Sequence, residues 1–209
     1  MDTVSVAALL KPFLGADSLS EAQVKQVAAY LELLVRWNAK TNLTAVRQPE
    51  EMVTRHFGES FFASAHLLRQ QIPRTAIDLG SGAGFPGLPF VIFAPEVTVT
   101  LIESQNKKAT FLKEVVRSLG LRNVSVVDKR SESFAARADL VMMRAVERFA
   151  DSVSEAQRLV SPGGRLALLI GAGQVNEAFH VVDKGIFEEP VPIPQSQTRV
   201  LLVGKVRSE

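Results

Sequence analysis

The segment Asp78-Leu79-Gly80-Ser81-Gly82-Ala83-Gly84-Phe85-Pro86-Gly87 constrains this chain more than any other stretch. An acid closes a short apolar strand, a glycine-dense turn follows, and a proline opens a helix. Strand, glycine turn and helix in that order belong to alternating β/α folds that seat a nucleotide-type cofactor against the turn. The chain around this segment has the matching grammar. Thr75–Leu79, Val97–Ile102, Val124–Val127, Ala138–Met142 and Arg165–Ile170 read as short buried strands. Pro86–Phe93, a stretch opened by Ser104 and ending at Gly120, Phe149–Val160 and the region near Gln174–Val181 read as helices between them. Ser104 is placed to cap its helix, and Pro162-Gly163-Gly164 to stop the one before β-strand Arg165–Ile170. Two last strands, near Gly185–Glu188 and Arg199–Val206, have little between them, and Pro190–Pro194 reads as a stiff connector. They form a hairpin and contribute one antiparallel strand. The expected fold is α/β: a Rossmann-like, doubly wound sheet, mostly parallel.

The residues before Thr75 follow another pattern. Ser20 and Gln23 make a capping box. Val24, Val27, Ala28, Leu31, Leu34 and Val35 then fall on one helical stripe over 21–37, and a polar loop begins at Trp37. Helical periodicity resumes over 50–70. The chain therefore divides into a helical N-terminal extension, 1–72, and a cofactor-binding domain, 73–209. Hydrophobic residues make up 46%, enough for a real core. Cysteine is absent, which excludes disulfides, zinc–thiolate sites and a cysteine nucleophile. His56, His66 and His180 are far apart and lack carboxylate company at ligand spacing, so no metal is expected. Without a signal-peptide pattern or a long apolar run, the expected location is the cytoplasm, with no membrane association.

Two features of the loop choose among cofactors. Gly82-Ala83-Gly84-Phe85-Pro86-Gly87 matches the spacing of dinucleotide sites, but a pyrophosphate needs free N–H groups at the helix start and Pro86 removes one. Asp78, at the strand end, would repel a dianion. S-Adenosylmethionine carries a sulfonium and an ammonium and no phosphate, and a carboxylate suits both. Glu103 ends the next strand, where an acid accepts the ribose hydroxyls of an adenosine moiety. The reading is a methyltransferase using S-adenosylmethionine and releasing S-adenosylhomocysteine. Net charge is only +2, but the segment from Gln105 to Arg148 holds ten Lys or Arg against five Asp or Glu. That face attracts phosphates or is simply a solvated helix surface.

Further motifs add a resemblance over nearly the whole chain: Trp37-Asn with Lys40 and Asn42-Leu-Thr-Ala, Arg55-His56 with Ser60, the Asp78–Gly87 loop, Glu103-Ser104 with Lys107-Lys108, Arg130-Ser131-Glu132, and Arg144-Ala145. These residues resemble the bacterial 16S ribosomal RNA guanine-N7 methyltransferases, also called glucose-inhibited division protein B. The resemblance implies a class I S-adenosylmethionine-dependent fold with a helical N-terminal extension. It implies methyl transfer to N7 of one guanine of 16S rRNA, in the loop beside the decoding centre, free or within the small ribosomal subunit, by a monomer. By position it implies cofactor contacts at Gly80, Phe85, Ser131 and Glu132, an active-site arginine at Arg144, and arginines for activity or RNA contact at Arg130 and Arg199. The candidate cofactor residues are thus Asp78, Gly80, Gly82, Phe85, Glu103, Ser104, Ser131, Glu132 and Arg144; the candidate catalytic residues are Arg144, Arg130 and Arg199. Two departures stand out. Ile170-Gly171 replaces the family's Lys-Gly, and the acid of the Arg-His motif is Glu59 instead of Asp. A methyltransferase of another substrate, and a catalytically weak RNA-binding protein on the same fold, remain open alternatives.

Overall fold

The computed structural model describes residues 1–144, 148–182 and 187–207. Helices α1 (Thr3–Leu14), α2 (Glu21–Thr41), α3 (Pro49–Met52) and α4 (Glu59–Gln70) come first, with a π-helical turn, Val53–Gly58, joining the last two. Strand β1 (Thr75–Leu79), α5 (Gly87–Phe93), β2 (Thr98–Ile102), α6 (Asn106–Ser118), β3 (Val124–Val127), β4 (Ala138–Arg144), α7 (Phe149–Arg158), β5 (Val160–Gly171), α8 (Val175–Val181), β6 (Val191–Pro192) and β7 (Arg199–Lys205) follow. The sheet runs β3-β2-β1-β4-β5-β7-β6. Pairing is parallel from β3 to β5, and β7 pairs antiparallel with both β5 and β6. One strand therefore runs against the rest, and the sheet reverses its winding between β1 and β4. That reversal opens a crevice at the carboxyl ends of the strands.

The period of two along each strand decides which side chains meet. Ala76, Leu140, Met142, Ala167, Leu169, Leu201 and Val203 join one core cluster with α1, α2, α4, α5 and α6. Ile77, Val141, Met143, Leu166, Leu168, Ile170 and Leu202 join a second, with α7 and α8. The same alternation puts Asp78, Arg144 and Arg199 on the first face, beneath the N-terminal helices. Arg165 clamps those helices down: its guanidinium donates to the Leu67 and Gln71 carbonyls at the end of α4, where a helix leaves acceptors unsatisfied.

Several boundaries differ from the sequence reading. Helix α2 continues through Trp37 to Thr41 and ends at Asn42, whose left-handed backbone (φ 47°) caps it. Trp37 packs against the core beside Phe111 and donates its indole N–H to Glu114, so the polar loop starts later than hydrophobicity suggested. Ser104 does not cap α6: Gln105 holds that position, with no side-chain cap. The helix expected over Phe149–Val160 ends at Arg158, because Val160 pairs with Ala138 and begins β5. Of the strand expected near Gly185–Glu188, residues 185–186 lie outside the described residues, and Phe187 makes an isolated bridge to Gly204. The short strand lies instead at Val191–Pro192, inside the expected connector, because Ile193 anchors that segment in the interior. Ala145 of the Arg-Ala motif also lies outside the described residues.

Candidate active site

A cleft of about 500 Å³ lies at the carboxyl ends of β1, β2 and β4. Its floor is the glycine loop. The loop is fixed from below and from the side. Gly80 and Ser81 donate their N–H groups to the Ile102 carbonyl, at 2.9 and 3.0 Å. Gly84 has φ +93°, and a Cβ there would sit 2.4 Å from both Leu88 Cδ1 and the Tyr30 hydroxyl. Only glycine meets both demands. Tyr30, from α2, is fully buried, donates a short hydrogen bond to the Ala83 carbonyl and stacks on Phe85 at 5.4 Å and 9°. Burial pushes its phenol well above the ordinary range, so it stays protonated and donates. The peptide bond between Phe85 and Pro86 is cis.

Asp78 and Glu103 play different parts. Asp78 is fully buried under the loop and does not line the cleft. Its Oδ2 accepts the Gly87 N–H at 3.0 Å, and its Oδ1 has no hydrogen-bond partner. Burial raises its pKa to about 7. A pyrophosphate would therefore find Pro86 without an N–H and the Gly87 N–H already taken. Glu103 does line the cleft: Oε2 accepts the Gly82 N–H at 2.9 Å and Oε1 the Gln105 N–H at 2.8 Å. A carboxylate has about four acceptor sites, so capacity for hydroxyl donors remains.

The structure brings Gly80, Gly82, Phe85, Glu103, Ser104, Arg130, Ser131, Glu132 and Arg144 to the wall of this cleft. Arg158 holds the Ser131–Phe134 turn in place through the carbonyls of Ser131 and Phe134. Leu79, Ile102, Ala83 and Phe85 add apolar walls, so the lining offers what S-adenosylmethionine requires: apolar surface for the adenine and an acid at the β2 end. Asp78 and Arg199 do not line it.

Arg199 lies behind the wall. Its Nε approaches Glu59 Oε2 at 2.9 Å, and its guanidinium donates to the Leu169 carbonyl. The same Glu59 oxygen lies 3.3 Å from Arg144. Arg144 also donates to the Arg55 carbonyl at 2.7 Å, meets His56 Nδ1 at 3.1 Å and sits 6.0 Å from the Phe85 ring centre. Burial lowers its pKa to about 10, so it remains a cation. His56 Nε2 lies 2.8 Å from the Thr44 hydroxyl. Burial first, then the Arg144, Arg55 and Arg199 charges, pulls His56 down to about 3.

Sequence reasoning gave no site role to three participants. Tyr30, the only tyrosine of the chain, lies on the apolar stripe of α2 and passes for core. Thr44 entered only as part of the Asn42-Leu-Thr-Ala motif. Glu59 was visible as the acid three residues after His56, a spacing that puts both on one helical face. Ile170, in place of the family's lysine, packs in the second cluster, on the face of the sheet opposite Arg144. Among the described residues there is no group of His, Asp or Glu suited to a metal, and no helix is long and apolar enough to cross a membrane.

Comparison with known proteins agrees with this geometry. The solved S-adenosylmethionine-dependent methyltransferase of Aquifex aeolicus is 18% identical, with a TM-score of 0.61 over 79% of this chain and 97% of that one. Magnesium protoporphyrin IX methyltransferase from Synechocystis, solved with its bound S-adenosylmethionine, is 12% identical, with a TM-score of 0.65 over 85% and 97%. These likenesses establish the class I methyltransferase fold. Ribosomal RNA small subunit methyltransferase G of Stenotrophomonas maltophilia (strain K279a) is 41% identical over 80% of this chain and 78% of its own. Its namesake in Xanthomonas axonopodis pv. citri (strain 306) is 41% identical over 79% and 77%. The family model of rRNA small subunit methyltransferase G matches residues 23–194, from the first turn of α2 to just past β6. With the glycine loop, Glu103 and Arg144 around one cleft, the chain belongs to the family of rRNA small subunit methyltransferase G.

Proposed function

We propose that this protein transfers a methyl group from S-adenosylmethionine to N7 of a guanine in 16S rRNA, in the cytoplasm and as a monomer. When bound, the cofactor supplies a methyl group on a positively charged sulfur. Gly80, Gly82 and Phe85 would carry it, Glu103 would take its ribose hydroxyls, and Ser131 and Glu132 would meet its adenine end. Asp78 acts through the loop and through its field.

The observation that carries the N7 reading is the proton chemistry at Arg144. Arg144 is a permanent donor, and His56 beside it has lost its basicity, with a pKa near 3. Neither takes a proton at neutral pH. Guanine N7 presents a lone pair with no proton to remove, so such a site needs only to align it. A hydroxyl or exocyclic amine would have to shed a proton during the reaction. Arg144 orients the base through O6 or a phosphate, since a bidentate grip on O6 and N7 would cover the nucleophile. Lys108, Lys129 and Arg130 line the same cleft, where phosphate contacts would make affinity fall steeply with salt.

The test is methyl transfer from labelled cofactor to 16S RNA, presented naked and within the small subunit, followed by chemical cleavage at N7-methylguanine. Cleavage at one guanine is expected. Label on an exocyclic amine or a ribose would overturn the N7 assignment, and label on neither RNA form would overturn the substrate. Arg144→Glu should abolish transfer while leaving cofactor binding partly intact; unchanged turnover would remove Arg144 from the site.

A further inference from the structure

We infer that Glu59, contributed by the helical extension, is the positioning residue that aims Arg144 into the cleft, so the extension completes the substrate side of the active site. The inference rests on the function proposed above and names the part of the chain that organises that site.

Arg144 and Arg199 come from β4 and β7, on one face of the sheet, with β5 between them. Their side chains are 8% and 20% exposed, so neither charge is well hydrated. Two buried guanidinium groups repel each other unless an anion lies between them. Glu59, 4% exposed in its side chain, supplies it: one oxygen, Oε2, faces both arginines at 3.3 and 2.9 Å. His56 adds no charge, because burial and three arginines keep it neutral. The cluster of Arg144, Arg199 and Glu59 thus keeps one excess positive charge, and of its members Arg144 is the one that lines the cleft.

Hydrogen bonding shows how the aim is set. Arg144 is held by the Arg55 carbonyl and by His56, both from the π-helical turn immediately before Glu59. Its Nε, that of Arg199 and Glu59 Oε2 are buried without an aligned hydrogen bond. Charge, more than a closed hydrogen-bond network, holds the guanidinium, and the carboxylate is what turns it. The π-helical turn fits this role: its wider winding brings His56 and Glu59 inward together, and such turns gather at functional sites.

The test uses the full-length protein with Glu59→Gln, which keeps shape and removes charge, and Glu59→Asp, which keeps charge. For Glu59→Gln, kcat on 16S RNA should fall about 100-fold, the cost of misplacing an aligned group. Cofactor affinity should stay within about twofold, and Glu59→Asp should recover most of the loss. A kcat for Glu59→Gln close to wild type would overturn the inference. So would a loss shared equally by cofactor binding, with Asp no better than Gln, which marks a merely structural role. A measurement on the wild-type protein needs neither a variant nor turnover. The guanidinium nitrogens of Arg144 and Arg199 should give separate, slowly rotating NMR resonances; averaged resonances would overturn the inference even if Glu59→Gln fails to fold. If the wild-type protein methylates no RNA, the proposed function fails, and the loss or retention of slow Arg144 rotation in Glu59→Gln decides the role of Glu59.

Discussion

At the scale of single residues, two buried titratable groups give this protein opposed pH dependences. Asp78 has a pKa of about 7 in the folded chain, raised by burial, against about 3.9 unfolded. The folded state therefore binds its proton more tightly. Its contribution is complete below about pH 4 and is lost as pH rises through 7. His56, held near 3 by burial and neighbouring arginines, does the reverse. Its contribution is complete above about pH 6.5 and is lost as pH falls towards 3. Asp78→Asn retains an amide oxygen for the Gly87 N–H and removes the buried charge. It should raise stability to urea at pH 8.5 by about 2–4 kcal/mol and change little near pH 3.5. The same variant isolates the field of Asp78 on the cofactor, so S-adenosylmethionine should bind it more weakly at pH 8.5. Denaturation curves that shift equally at both pH values would show that Asp78 acts by shape alone.

At the scale of elements, the contact between α2 and the glycine loop is decisive. Tyr30 donates to Ala83 and stacks on Phe85, and both loop residues line the cleft. Tyr30→Phe keeps the stack and leaves the Ala83 carbonyl without that donor, a loss of about 1–3 kcal/mol for a buried acceptor. The loop should loosen, and calorimetry should show S-adenosylmethionine binding about tenfold weaker, with thermal stability reduced only modestly. Unchanged affinity would mean that the loop is rigid without α2. This element also marks where sequence legibility stopped. Strands β1 and β3 were placed to the residue, because short apolar runs bounded by turn residues have one reading. Glu103 was legible because alternating folds put their chemistry at strand ends; Arg144 came only through the family resemblance. Tyr30 and Glu59 were not, because their roles come from helices packed across the sheet, and periodicity cannot tell a residue that fills the core from one that also buttresses a loop. The start of β5 was obscured for a related reason: Pro162 and two glycines look like a stop, whereas the pairing of Val160 with Ala138 carries the strand through them.

At the scale of the whole molecule, the division into an extension and a cofactor domain describes sequence grammar more than packing. Met52, Val53, Phe57, Phe61 and Leu67 of the extension share a core cluster with Leu88, Phe90 and Leu101. Each fully buried side chain of this size contributes about 1.5–3 kcal/mol. Removing five of them takes away as much as a whole domain's typical net stability of about 5–15 kcal/mol. We therefore propose that residues 73–209 do not fold alone. A fragment of that span should lack a cooperative urea transition and bind a hydrophobic dye; a cooperative fragment that binds S-adenosylmethionine would show two independent units.

The placement of Arg199 has a consequence for synthesis. The glycine loop is complete once residue 87 has emerged from the ribosome, but the guanidinium on the far side of Glu59 belongs to β7, more than a hundred residues further along the chain. Until β7 inserts between β5 and β6, Glu59 lacks its nearer cation and β5 has an open edge. A frameshift or stop just before β7 would spare every proposed cofactor contact and still leave Glu59 without that cation. If Glu59 positions Arg144 as proposed, the substrate side matures only after β7 has been made, long after the cofactor loop.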